Sequence, residues 1–172
     1  MRLTLGVEYD LPPIPLDESC TTWFPAGPVT FGLEERTLDE ATVRATYSDE
    51  ERERSAIDDV QDGALAADGG LSVHVCDGTS GRELLRFDCF AATPHYHYIP
   101  VGGGNHAIAF DADANGDMVS WVVGRLRSRL PAMLTRVGAA ELALDLDVDA
   151  AVTALTAELA HRTGGERHGQ AG

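Results

Sequence analysis

Between Leu71 and Phe110, four short runs of alternating apolar and polar residues are separated by Asp77-Gly78-Thr79-Ser80-Gly81, by Ala91 to Pro94, and by Gly102-Gly103-Gly104-Asn105. Side chains alternate across a strand with a period of two, so runs of this kind punctuated by turn residues predict an antiparallel meander. Leu3, Leu5, Val7 and Tyr9 alternate in the same way and predict an N-terminal strand ended by Pro12, Pro13 and Pro15. Val29 to Leu33 reads as a further strand, and Thr42 to Tyr47 as a strand or part of a helix. Ser48-Asp49-Glu50-Glu51 has capping-box spacing and predicts a short helix toward Val60.

Near Met118 the period changes. Val119, Val122, Val123, Leu126, Leu130, Met133, Leu134 and Val137 recur every three or four residues, the stripe of an amphipathic helix, with Pro131 kinking or restarting it and Gly138 as its C-cap. A second helix is expected to start at Asp147 or Asp149, bury Val148, Val152, Leu155 and Leu159, and stop at Gly164-Gly165. The fold class is therefore α+β: an antiparallel sheet followed by two amphipathic helices packed on one face. The pattern implies one domain over residues 1–163, with a disordered tail over 164–172.

At 172 residues the chain is long enough to bury a core without staples. Cys20, Cys76 and Cys89 are an odd number with no paired spacing, which reads as reduced thiols in the cytoplasm. The formal net charge of −15, with arginine as the only strongly basic residue type, repels phosphate backbones and anionic lipid, so neither nucleic acid nor membrane is an expected partner. Absence of lysine excludes Schiff-base chemistry and a P-loop lysine.

If Ala91 to Pro94 joins a tight hairpin with Phe90 facing His95 and Asp88 facing His97, alternation sorts the sheet into two faces. Leu71, Val73, Leu85, Phe87, Cys89, Tyr96 and Tyr98 make a floor for the helices. Arg86, Asp88, Phe90, His95, His97 and Ile99 make a mixed face, joined by His106, Ile108 and Phe110 if the glycine turn is also tight. His-x-His on a strand sets two imidazoles on one side about 6.5 Å apart along the chain, within reach of one metal ion such as zinc, iron or manganese. Asp88 is a third ligand or the acceptor that fixes a tautomer, His106 a fourth, and His74 shares the face but lies too far along the sheet to join them. The pair resembles the His-x-His of cupins, yet the glutamate ligand that follows it there has no counterpart, since residues 98–140 contain no glutamate.

Asp111-Ala112-Asp113-Ala114-Asn115-Gly116 matches the first half of a calcium loop, with Asp111, Asp113 and Asn115 as ligands, but Val122 stands where the bidentate glutamate belongs. The simpler reading is an acidic turn capping the next helix. Gly102-x-Gly104-x-x-Ala107 has dinucleotide-fingerprint spacing, but strand follows it where that motif needs a helix, which makes it a hairpin tip.

Leu84-Leu85-Arg86-Phe87-Asp88-Cys89-Phe90, followed by Pro94-His95-Tyr96-His97-Tyr98-Ile99-Pro100, resembles a group of small uncharacterised bacterial proteins classed as a domain of unknown function. The resemblance implies no activity, and it directs attention to the mixed face. Two functions fit that face: a binding or accessory protein that holds a small ligand, a partner protein or a second copy through Arg86, Asp88, His95 and His97, and a metal-dependent protein or enzyme with His95 and His97 as ligands.

Overall fold

The computed structural model describes residues 5, 8–10, 14–38, 40–46 and 68–166. Seven strands form one antiparallel sheet: β1 (Glu8–Asp10), β2 (Thr21–Ala26), β3 (Val29–Leu38), β4 (Asp68–Asp77), β5 (Glu83–Phe90), β6 (His95–Tyr98) and β7 (His106–Ala109). Their order is β1-β7-β6-β5-β4-β3-β2, so β2 to β7 run as a continuous meander and β1 adds to its far edge. The sequence-based expectation of an antiparallel meander holds, and each of its three turn segments falls between strands. The short helix expected after Ser48 lies outside the described residues.

The β2–β3 hairpin closes on Gly27, whose φ of +72° suits glycine and where a Cβ would run into the carbonyl of Asp145. Thr42 to Thr46 belong to a helix, α1 (Glu40–Thr46), rather than to a strand. After β7 come α2 (Ala112–Asn115), α3 (Met118–Ser128), α4 (Leu130–Arg136) and α5 (Val148–Glu166). Pro131 restarts the helix instead of merely bending it, because it sits in the first turn of α4, where its missing N–H costs nothing. Asp117 caps α3 by accepting from the Ser120 amide at 2.8 Å. α5 runs through Gly164-Gly165 to Glu166, past the expected stop. No described helix is long and apolar enough to cross a membrane.

One face of the sheet carries Phe31, Leu33, Val73, Val75, Leu85 and Phe87, all buried, against Met118, Val122 and Leu126 of α3, Leu130 and Leu134 of α4, and Val152, Leu155 and Leu159 of α5. Trp121 anchors α3, with ring centroids 6.1 Å from Phe87, 5.3 Å from Tyr96 and 5.2 Å from Phe110. Apolar burial on this face holds the sheet flat against the helices and leaves the other face to be organised by charge. Phe87→Ala, which empties the centre of this layer, is expected to cost about 3–5 kcal/mol in urea unfolding; a loss under about 1 kcal/mol would show that Phe87 is not a core residue.

Candidate metal centre

The opposite face holds a buried polar row. Ladder register places Gly32, His74, Arg86, His97 and Ala107 in one line across β3 to β7, and Glu34, Ser72, Asp88, His95 and Ala109 in the next. The β5–β6 register differs by two residues from the expected one: Asp88 faces His95 and Arg86 faces His97. A slip of two preserves side-chain parity, so Arg86, Asp88, His95 and His97 share a face as expected. All four are at least nine-tenths buried, which is unusual for charged groups and requires partners for each.

Asp88, His95 and His97 converge. Asp88 Oδ2 is 3.2 Å from Nε2 of His95 and 3.2 Å from Nε2 of His97, and one ligand atom from each residue lies within 4.8 Å of the others. Each remaining atom is held from outside. Ser72 Oγ donates to Asp88 Oδ1 at 2.5 Å, leaving Oδ2 as the inward oxygen. Nδ1 of His95 donates to the Thr93 carbonyl at 2.7 Å; a carbonyl only accepts, so this nitrogen must carry the proton. Nδ1 of His97 faces Oδ1 of buried Asn105 at 3.0 Å. Asp68 fixes Thr93 in turn, accepting from the amides of Ala92 at 3.1 Å and Thr93 at 2.8 Å and from the Thr93 hydroxyl.

With both Nδ1 atoms donating outward, neutral imidazoles turn their Nε2 lone pairs toward the Asp88 carboxylate. Burial, the largest influence, pushes His97 below its ordinary value, favouring the neutral ring against the pull of Asp88. Burial would raise Asp88, but where Nε2 of a ring is protonated the hydrogen bonds and charge of His95 and His97 outweigh it and hold the carboxyl well below the usual range. Three electron-rich atoms at these separations call for a cation among them, whether a proton on one Nε2 or a metal ion. Ligand atoms around an ion at about 2.1 Å stand roughly 3.0 Å apart at octahedral cis positions and roughly 3.4 Å apart at tetrahedral ones, which brackets the two 3.2 Å separations.

Beside this trio lies a second cluster. His74 Nδ1 is 2.6 Å from Glu83 Oε1 and its Nε2 3.0 Å from Glu34 Oε2, the latter at ion-pair distance but off the line of a hydrogen bond. Arg86 grips Glu83 with two bonds, Nε to Oε1 at 2.8 Å and Nη2 to Oε2 at 2.5 Å. A β-bulge makes this contact: pairing shifts between Val75 and Cys76, so Cys76 faces Glu83 and the glutamate turns onto the polar face. Burial alone would raise Glu83, yet His74 and Arg86 bring its carboxyl down to about 2. Burial lowers His74, but its close contacts with the Glu34 and Glu83 carboxylates prevail and its pKa is raised.

Two sequence-based expectations are corrected here. His106 faces Tyr98, on the helix-bearing face, because seven residues from Ile99 to Asn105 separate β6 from β7 and put Ala107, not His106, opposite His97. It is therefore not brought to Asp88, His95 and His97. His74 has no offset along the sheet from His97: both flank Arg86, two strand spacings or roughly 9.6 Å apart, and His74 is taken by Glu34 and Glu83. The Asp111–Asn115 segment forms α2, where Asp111 Oδ1 accepts from the Ala114 amide at 3.1 Å and Asn115 Nδ2 donates to the Asp111 carbonyl at 3.0 Å, with Asp113 exposed in its first turn. Ser72, Thr93 and Asn105 escaped the sequence reading, as did Glu34, Arg36 and Glu83. Only the alternation of Glu34 and Arg36 with buried Phe31 and Leu33 signalled any of them.

Fold and site together define an α+β protein whose antiparallel sheet carries helices on one face and a buried His–Asp row on the other. The chain belongs to a family described as a domain of unknown function (DUF7700), whose model matches residues 23–163 and so spans the whole trio with its supporting residues. Neither a curated protein nor a solved structure matches it.

The two shifted groups of the second cluster act at opposite ends of the pH scale. Glu83 is depressed from 4.5 to about 2, so its contribution is present above pH 4.5 and lost as pH falls toward 2, on the order of 3 kcal/mol. His74 is raised, so its contribution is present below its ordinary 6.5 and lost as pH rises through the folded value. Denaturant titrations across pH are expected to show a shallower acid limb in Glu83→Gln and a shallower alkaline limb in His74→Gln. Limbs parallel to the wild type in both variants would contradict this assignment.

Proposed function

We propose that this protein binds one divalent transition-metal ion through Nε2 of His95, Nε2 of His97 and Oδ2 of Asp88. The observation that carries this reading is the outward hydrogen bonding of both imidazoles, to the Thr93 carbonyl and to Asn105, which leaves both Nε2 atoms and one carboxylate oxygen facing each other. Metal-ligating histidines characteristically donate their other ring nitrogen to a carbonyl or carboxylate in this way. Two imidazoles and one carboxylate suit zinc, iron or manganese, and three protein ligands leave open positions for a further ligand.

Burial of Arg86, Asp88, His95 and His97 supports an ion or small ligand over a partner subunit as occupant, because little of these groups is left for a macromolecule to touch. Free cysteines support a reducing, cytoplasmic setting: burial pushes the Cys76 and Cys89 thiols up to about 12, where they are protonated and inert.

Elemental analysis of protein purified without a histidine tag or chelator is expected to find close to one equivalent of zinc, iron or manganese. His95→Ala/His97→Ala should lose it. Zinc added at about a hundred times its Kd should stabilise the metal-free wild type by about 2.7 kcal/mol and leave the double variant unmoved. Absence of bound metal in the wild type, with no thermal shift on adding zinc, manganese or ferrous iron, would refute the proposal.

A further inference from the structure

The described groups of the buried polar face carry one net negative charge before any metal enters it. Arg36, Arg86 and the His74 imidazolium, its two nitrogens set against two carboxylates, supply three positive charges among the described residues; Glu34, Asp68, Glu83 and Asp88 supply four negative ones. Histidines that ligate a metal are neutral. A divalent ion at Asp88, His95 and His97 therefore leaves one positive charge uncompensated where Asp88, His95 and His97 are almost wholly withdrawn from water, an arrangement that is costly unless a counter-charge arrives.

Arg36 presents a further donor on this face. Arg36 has a side chain only 6% exposed; its Nη2 donates to the carbonyls of Pro15 at 3.0 Å and Ile14 at 3.4 Å, and its Nε faces Glu34 Oε1 at 3.5 Å, but its buried Nη1 has no hydrogen-bond partner among the described residues. Across the ladder, the β4 residues between this part of β3 and Asp88 are Gly70, opposite Arg36, and Ser72, opposite Glu34. Nothing larger than a hydroxymethyl group rises from β4 there. A guanidinium presents its N–H groups in a fork that matches carboxylate and phosphate oxygens.

Resting on the metal reading above, we propose that the centre takes its ligand as a small oxyanion of the carboxylate or phosphate class, coordinated at the metal's open positions and received by Nη1 of Arg36. The anion restores charge balance on the buried face and accepts from Nη1. Neither the metal nor Arg36 suffices alone, so anion affinity depends on both.

The test is calorimetric titration of wild-type protein loaded with one equivalent of zinc, using malonate and, separately, inorganic phosphate, repeated on metal-free protein and on zinc-loaded Arg36→Gln. At least one anion is expected to bind the loaded wild type about tenfold or more tightly than the metal-free form, and to lose about tenfold in Arg36→Gln, while zinc affinity in that variant stays within about threefold. Binding of malonate alone assigns the carboxylate class, and of phosphate alone the phosphate class. Should Arg36→Gln fail to fold, comparison of loaded with metal-free wild type still decides. Zinc binding with no response to either anion, or anion binding that ignores zinc, overturns this inference and leaves the metal site standing. Failure of zinc to bind removes the metal reading itself.

Discussion

A sheet can bury a full set of charges on one face only if register sets each against a counter-charge, and the rest of this structure is arranged around meeting that condition. Glu34, His74, Glu83 and Arg86 link β3, β4 and β5 through ion pairs of 2.5 to 3.0 Å, and Asp88, faced by His95 and His97, extends the polar row to β6. A displacement of one residue in any of these strands would exchange the charged set for the apolar one, burying ions under the helices and exposing Val73, Val75, Leu85 and Phe87. The apolar face and the charged face thus specify one another's register, and the net stability of the pairs matters less than the uniqueness they impose.

Support around the trio is drawn from loops as well as strands. Asp68, at the start of β4, holds the 91–94 turn through Ala92 and Thr93, and the Thr93 carbonyl then orients His95. Asn105, at the end of the glycine-rich connection before β7, orients His97. Imidazoles fixed from behind in this fashion do not have to reorganise to receive an ion, so binding would cost little conformational entropy. The same rigidity separates the trio from the His74 cluster: Arg86, standing between them in the row, commits its Nε–Nη2 edge to Glu83.

Much of this was legible in the sequence because it depends on parity. Alternation placed Arg86, Asp88, His95 and His97 on one face even though the expected hairpin register was wrong by two residues, since an even slip leaves the faces intact. Where parity depends on a loop or a bulge, the sequence was silent. His106 moved to the helix side through the count of residues between β6 and β7, and Glu83 reached His74 only through the bulge at Val75 and Cys76. Strand β2 went unseen because Thr21-Thr22-Trp23-Phe24-Pro25-Ala26 has no clean alternation and holds a proline, as an edge strand tolerates. Ser72, Thr93 and Asn105 are polar residues of ordinary appearance whose roles arise from tertiary placement alone.

Crystallography on crystals soaked in manganese or zinc, with data collected at the metal's absorption edge, bears most directly on the central claim. The account predicts a single strong anomalous peak about 2.0–2.2 Å from Nε2 of His95, Nε2 of His97 and Oδ2 of Asp88, with both Nδ1 atoms still bonded to Thr93 and Asn105. A peak elsewhere, or a trio that stays empty with Nε2–H of His95 or His97 donating to Asp88, would contradict it.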